Sequence, residues 1–209
     1  MRFLRWPVFV GSLLLLVGCA RHELAPPPQA TYLLDGERST VTFTIDHNGR
    51  PLTGKFRTTN GAYTPVTGET PGEIYAAVAA GSIDTANGLR DAHLRTGDFF
   101  HVSQHPAVAF RGEVQPGEDV GTLLARGTLT MLGVEQPFIV TLDPLPGVAD
   151  GPAHRCTFSV ERSAFGLTNG LANGSIGDLV ELTVELQWIT REPSTNAQAN
   201  TSRPKLDGS

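Results

Sequence analysis

The sequence predicts an all-β domain made of antiparallel strands with one short helix. Apolar and polar residues alternate strictly from Val180 to Trp188, as expected of a strand with one buried and one solvated face. Turn-forming residue pairs separate this run from others like it, and only the segment 82–95 carries clear helix signals. Such strands either pair as two packed sheets or close into a barrel, and the alternation does not decide between these architectures.

Strand patterns recur along the chain between about residues 31 and 190, which is long enough for one domain with a sizeable core. In the first pattern Val41, Phe43 and Ile45 alternate with threonines, and in a later one Val108 and Phe110 share a face. The patterns lie near residues 41–45, 74–83, 107–114, 123–131, 137–142, 155–161 and 180–188. The turn pairs are Asn48-Gly49, Pro71-Gly72, Pro116-Gly117 and Pro146-Gly147.

The predicted helix begins near residues 84–87. The side chains of Asp84, Thr85 and Asn87 can accept hydrogen bonds from amides left free in the first helical turn. Asp91 and Arg95 follow at i and i+4 with the acid first, which predicts an ion pair on one helix face. His105-Pro106 then returns the chain to an extended path, because proline fixes its own φ and disfavours helix at the preceding residue.

Several short motifs occur in a fixed order and together resemble the YceI-like family of periplasmic polyisoprenoid-binding proteins. The family pattern has Arg-Asp, His-Leu and Phe-Phe pairs, then an aromatic residue or His before Pro; hairpin and Arg-Ser-x-Phe-Gly segments follow. The matching residues here are Arg90-Asp91, His93-Leu94, Phe99-Phe100, His105-Pro106, Leu129–Val134 and Arg162–Leu167, with Val41-Thr42-Phe43 and His47 near the start. The resemblance extends from about Thr31 to Thr190.

The resemblance implies an eight-stranded antiparallel lipocalin-like barrel with the short helix inserted at one rim. It also implies a long apolar ligand, a polyisoprenoid or a ubiquinone-type molecule, bound inside the barrel without covalent chemistry. An eight-stranded barrel is either filled by its own side chains or encloses one slender ligand. A structural envelope lipoprotein with a filled barrel therefore remains an alternative.

The first 18 residues predict a bacterial lipoprotein signal peptide. Arg2 and Arg5 precede an apolar run that is too short to span a bilayer, and the run ends in Leu-Val-Gly before Cys19. This arrangement resembles a lipobox and predicts lipidation of Cys19, although an ordinary secretory signal with a chance cysteine is the alternative. Ala20 at the next position resembles outer-membrane more than inner-membrane lipoproteins. We therefore expect a periplasm-facing envelope lipoprotein.

Two polar segments flank the predicted domain. Residues 19–30 contain three consecutive prolines and predict a stiff tether, whereas 191–209 is rich in Ser, Thr, Asn and Pro and predicts a disordered tail. Loss of the two signal-peptide arginines changes the formal charge from −5 to −7, because two positive charges are removed. An acidic protein is not expected to bind nucleic acid. A homodimer remains open.

Aromatic and aliphatic residues on the predicted inner faces are the candidate ligand-binding residues. Buried in a lining, each would contribute about 25 cal/mol per Å² of apolar surface removed from water, and plain core packing is the alternative role. The candidates are Phe43, Ile45, Phe100, Phe110, Phe138, Phe158, Phe165, Leu182 and Trp188. Cys156 alternates with Phe158 and Val160 on one strand, which predicts a buried, unreactive thiol and leaves no second cysteine for a disulfide once Cys19 is acylated.

The polar residues near the helix predict a structural rim and no catalytic site. Arg90, Asp91, His93 and Arg162 are assigned to this rim, with Arg162 connecting the last hairpin to the helix. His93, His101 and His105 lie close in sequence, but proline after His105 disfavours a shared helical face, so no metal is predicted. The competing hypothesis is an enzyme that acts on a lipid-like amphiphile at the barrel mouth through His93, Asp91 or His105.

Overall fold

A computed structural model of the protein describes residues 30–57, 59–145, 151–170 and 172–191. The predicted signal peptide, Cys19, nearly all of the tether and all but the first residue of the tail lie outside the described residues. The strands are β1 (Tyr32–Leu34), β2 (Thr40–His47), β3 (Pro51–Phe56), β4 (Thr59–Thr64), β5 (Gly72–Ala79), β6 (Ile83–Asp84), β7 (Ala107–Pro116), β8 (Leu123–Met131), β9 (Val134–Pro144), β10 (Ala153–Glu161) and β11 (Ile176–Thr190). The helix α1 spans Gly88–Leu94, and short 3-10 helices span Ala80–Ser82 and Arg162–Phe165.

The strands close into an antiparallel barrel of eight, which confirms the predicted fold class. Strands β1 and β2 are two halves of one bent strand, since both pair with β11 and each pairs with one half of the bent strand β3–β4. The circuit then runs through β5, β7, β8, β9, β10 and β11, and β11 pairs with β1 to close it. The short β6 adds to the edge of β3 below α1.

Two hairpin turns show why the sequence folds in this register. Asn48 and Gly49, between β2 and β3, have φ of 56° and 73°, and Leu132 and Gly133, between β8 and β9, have φ of 53° and 75°. Positive φ at both central residues defines a type I′ turn, whose backbone twist matches the twist of the two flanking strands. Each turn fixes its register, so the alternating apolar residues of the paired strands point into the barrel.

The barrel wall is least regular between β9 and β10. Strand β10 pairs with β11 from Ala153 to Glu161, whereas its ladder with β9 contains two residue pairs, at Asp143 and Pro144. Further along β9, the Gln136 side chain donates a hydrogen bond to the carbonyl of Ala164, in the second 3-10 helix. That 3-10 helix therefore takes over part of the contact that a continuous ladder would make.

One end of the barrel, where β1 begins and β11 ends, is filled by aromatic side chains. Trp188 is fully buried, and its ring lies 5.5 Å from that of Tyr63, which also stacks on Tyr32. The Trp188 Nε1 donates a hydrogen bond of 3.2 Å to Nδ1 of the buried His154. Since the indole nitrogen is only a donor, this contact requires an unprotonated Nδ1, and burial lowers the pKa of His154. We call these four residues the closed end.

Helix α1 begins where the sequence predicts, but its side chains have other partners than those predicted. Asn87 is its N-cap and accepts a hydrogen bond of 3.1 Å from the amide of Arg90. The predicted ion pair between Asp91 and Arg95 is wrong, because Arg95 donates instead to the carbonyls of Gly81 and Ile83 at 2.7 and 3.0 Å. Among the described residues, the helices are all too short to cross a bilayer.

Candidate functional site

The end of the barrel below α1 contains a cavity of about 290 Å³, which we call the outer chamber. Its wall is formed by the inward faces of the strands and by the segments that cap them. Apolar lining residues include Phe43, Ile45, Leu52, Phe56, Leu94, Phe99, Phe100, Val108, Val160 and Val180. Polar lining residues are His47, Thr85, Arg90, His93 and Arg162. The chamber is thus an apolar space with a few polar groups, the composition typical of small-molecule sites.

A second cavity of about 110 Å³, the inner chamber, lies deeper in the barrel. Val108 lines both chambers, so its side chain stands at their junction. Phe110, Phe138 and Phe158 line the inner chamber and pack edge to face, with ring centroids 6.2 and 4.9 Å apart along the series. Small side chains such as Ala125 complete the wall and leave the volume unfilled. The two chambers thus lie next to each other in the barrel interior, on either side of Val108.

The rim on the α1 side is organised around Thr85. Its hydroxyl donates to Asp91 Oδ1 at 2.6 Å and accepts from Arg90 Nε at 2.7 Å, while its carbonyl accepts from Arg90 Nη2 at 2.8 Å. The Thr85 amide also donates to Asp91, at 2.9 Å. Asp91 is buried, and hydrogen bonds from an amide and a hydroxyl compensate its lost hydration. Arg90 and Asp91 thus fix the rim through a shared threonine.

Arg162 organises the opposite side of the rim. Its guanidinium is buried and donates to the carbonyls of Leu167, Asn169, Ile176 and Gly177 at 2.7 to 3.1 Å. Burial lowers the pKa of Arg162. The next residue, Ser163, donates from its amide and its hydroxyl to Asp178, which holds the pKa of that carboxyl below its usual value. Arg162 therefore connects the second 3-10 helix to the start of β11, and the predicted connection to α1 is wrong.

The histidines take up different positions around the rim. His93 lines the outer chamber, and its Nε2 lies 3.1 Å from Asp98. The rings of His101 and His105 come within 6.0 Å of each other although no helix joins them, because the chain turns between the two residues. In the described part of the chain, no group of three or more His, Cys, Asp or Glu side chains is arranged to hold a metal ion.

The predicted lining residues fall into three groups. Phe43, Ile45 and Phe100 line the outer chamber. Phe110, Phe138 and Phe158 line the inner one. Phe165, Leu182 and Trp188 line neither chamber: Phe165 packs in a core cluster with Leu129, Met131 and Leu167, and Trp188 belongs to the closed end.

Val108 lines both chambers but was not among the predicted lining residues. The available signal was its alternation with Phe110, which places both side chains on the inner face of β7. Leu52 and Arg50 were also not predicted as site residues. Both follow the Asn48-Gly49 turn and line the barrel mouth. Cys156 is buried in the inner chamber wall, and burial raises its pKa to about 12, so the thiol stays protonated at neutral pH.

A closed eight-stranded barrel with internal cavities belongs to an architecture that can hold one small molecule. The family model for the YceI-like domain matches residues 32–188. This chain therefore belongs to the YceI-like family. It is also 29% identical to a UPF0312 protein of Pseudomonas aeruginosa over 186 residues, which cover 84% of this chain and 95% of that relative.

Solved structures share the fold at low sequence identity. The chain superposes on BcnA of Burkholderia cenocepacia with a TM-score of 0.66 at 18% identity, covering 73% of this chain and 98% of that one. It superposes on a polyisoprenoid binding domain from Saccharophagus degradans with a TM-score of 0.65 at 17% identity, covering 78% and 99%. A YceI protein of Campylobacter jejuni matches with a TM-score of 0.54 at 21% identity, covering 68% and 86%. These similarities establish the barrel architecture.

Proposed function

We propose that this protein binds a long apolar ligand inside its barrel and acts as a carrier or scavenger, without covalent chemistry. The observation that carries this proposal is the outer chamber, an apolar cavity of about 290 Å³ with polar groups among its lining residues and the inner chamber behind it. Known ligand sites range from roughly 300 to 1,000 Å³. The name of the Saccharophagus degradans domain supports a polyisoprenoid or a similar amphiphile as the ligand class.

The two alternatives fit the site less well. A filled barrel is disfavoured by the chambers themselves. An enzyme that uses Asp91 is disfavoured because this carboxylate is buried against Thr85 and does not line the outer chamber, and His105 does not line it either. Of the three residues in the enzyme hypothesis, His93 alone lines the outer chamber, and its ring lies against Asp98 and Phe99.

We infer from the sequence that the barrel is held at the bacterial envelope by a lipid on Cys19, facing the periplasm and more consistent with the outer than the inner membrane. Two or three acyl chains would anchor it stably. The Cys19→Ser variant should leave the membrane fraction and lose labelling by a fatty-acid analogue. A variant that stays in the membrane fraction with unchanged labelling would show that the anchor lies elsewhere.

Ligand binding is tested at the junction of the chambers. Val108→Trp adds bulk where both chambers meet, and Val120→Trp makes the same change at a fully exposed loop position. We expect lipid recovered in organic extracts, quantified by mass spectrometry at equal folded protein, to fall at least about tenfold in Val108→Trp and to be unchanged in Val120→Trp. Equal lipid content in the two variants, both folded, would contradict binding inside the barrel.

A further inference from the structure

The outer chamber continues into an open basin at the barrel mouth. This basin has a volume of about 340 Å³ and is bordered by the end of β2, the β2–β3 turn, β3 and α1. His47, Leu52 and Arg90 line both the basin and the outer chamber, so the two spaces meet at these residues. A ligand whose chain occupies the outer chamber would place its headgroup in the basin.

The charge at this mouth is opposite to the charge of the protein. The chain has 21 acidic and 16 basic residues, yet neither the outer chamber nor the basin has an Asp or Glu among its lining residues. The basin is lined instead by Arg50 and Arg90, and by His47 at the end of β2. A concave site lined by one sign of charge concentrates the field and attracts ligands of the opposite sign.

Arg90 keeps part of its hydrogen-bonding capacity for a ligand. Its Nε and Nη2 donate to Thr85, which fixes the plane of the guanidinium, while Nη1 has no acceptor and the group no carboxylate partner among the described residues. Arg162 differs, since each of its three guanidinium nitrogens donates to at least one backbone carbonyl. Arg50 is exposed and forms no ion pair with any described residue.

We propose that the ligand is an amphiphile with an anionic headgroup, a phosphate or a carboxylate, which binds in the basin to Arg90 and Arg50 while its apolar chain enters the outer chamber. This inference rests on the proposed function and replaces the neutral quinone-type headgroup with a charged one. A planar, preorganised guanidinium matches the oxygens of phosphate and carboxylate in two-point hydrogen bonds. A neutral headgroup would leave both guanidinium groups without an ionic partner.

The headgroup preference is tested with a phosphorylated and an unphosphorylated lipid that have the same apolar chain, and with two further ligands. The full chain carrying Cys19→Ser is titrated with geranylgeranyl monophosphate, with geranylgeraniol, with palmitate and with inorganic phosphate alone. We expect the monophosphate to bind about tenfold more tightly than the alcohol at low salt, with the difference shrinking as salt rises, because the basin is open to solvent. Palmitate binding with the same salt dependence would assign carboxylates to the site as well, and its failure would restrict the site to phosphates. Inorganic phosphate should bind far more weakly than the lipid.

Charge-neutral variants locate the effect. Arg50→Gln should reduce the affinity for the monophosphate by about threefold to tenfold and leave the affinity for the alcohol unchanged. Arg90→Gln, which also changes the lining of the outer chamber, should reduce the affinity for the monophosphate more than the affinity for the alcohol. Arg90→Lys, which keeps the charge and loses the planar fork, should fall between wild type and Arg90→Gln. Arg126→Gln is the matched control, since it removes one positive charge from an exposed position on β8, outside the mouth.

The outcomes separate this inference from the function on which it rests. Equal affinity for the monophosphate and the alcohol, or the same loss in Arg126→Gln as in the two mouth variants, would overturn the anionic headgroup and leave lipid binding intact. Binding of neither lipid by the folded protein would overturn the proposed function itself. Stronger binding of inorganic phosphate than of the lipid would overturn the assignment of the outer chamber to the apolar chain of the ligand.

Discussion

The closed end and the mouth of this barrel are built from the same strands, but they satisfy their polar groups in different ways. At the closed end, Trp188 Nε1 donates a hydrogen bond to His154 Nδ1 inside a buried aromatic cluster. At the mouth, Arg90 and Arg162 bind backbone and hydroxyl oxygens of the rim, so that the space between them stays open. In this barrel the polar groups of the mouth stabilise the rim, and the interior beside them contains a cavity.

The largest expected effect comes from the closed end. Trp188→Ala removes a fully buried ring and leaves His154 without its donor, so we expect the free energy of unfolding to fall by about 3–5 kcal/mol in denaturant titrations. Phe100→Ala is the comparison at the mouth. Its half-buried ring faces an existing cavity, so its truncation should cost less than half as much. Equal losses at the two positions would show that the mouth is packed as tightly as the closed end.

The next effect concerns binding and not stability. Phe158→Gln places a polar amide in the inner chamber, whose lining is apolar apart from Thr59 and Cys156, and should abolish retention of extracted lipid. His105→Ala should leave retention largely intact, since His105 lines neither chamber. Bound lipid is quantified by mass spectrometry at equal folded protein. Full retention in Phe158→Gln, or turnover of an added amphiphile that disappears in His105→Ala, would favour the enzyme hypothesis.

The sequence alone predicted which side chains point into the barrel better than where along the barrel axis they lie. Alternation correctly placed Phe110 and Phe158 on the inner face, but it assigned Trp188 to the ligand lining with the same logic. A period of two distinguishes inside from outside and carries no information on position along the barrel axis. Closure into a barrel likewise came from the family resemblance, because β1 and β4 are too short and irregular to be recognised as halves of bent strands.

The rim was predicted in composition but not in its contacts. Arg90, Asp91, His93 and Arg162 do surround or support the mouth, yet the partners of Arg162 are backbone carbonyls, which carry no sequence signal. The expected pair of Asp91 with Arg95 failed for a related reason. The rule that side chains at i and i+4 pair describes isolated helices. Here both side chains turn toward the segment before the helix and bind it.

A smaller effect is the pH dependence of the closed end. Burial lowers the pKa of His154, so the unfolded chain binds a proton more readily than the folded one and stability falls as pH falls below about 6.5. A single proton limits this slope to about 1.4 kcal/mol per pH unit. We expect the free energy of unfolding to decrease between pH 7.5 and pH 5, and the decrease to shrink in His154→Gln, whose amide oxygen can still accept from Trp188. An unchanged slope in that variant would exclude His154 as its source.

The smallest expected effect is that of the C-terminal segment. Arg191 is the last described residue, and its amide donates to the carbonyl of Thr31, so the chain leaves the barrel at the closed end beside its own start. Residues 192–209 lack the apolar side chains needed to join the core, and their deletion should change the free energy of unfolding by less than about 0.5 kcal/mol. Denaturant unfolding of the full and truncated chains measures the difference. A larger loss, or loss of cooperative unfolding, would show that the segment packs on the barrel, and a loss of lipid retention without a loss of stability would place it at the mouth.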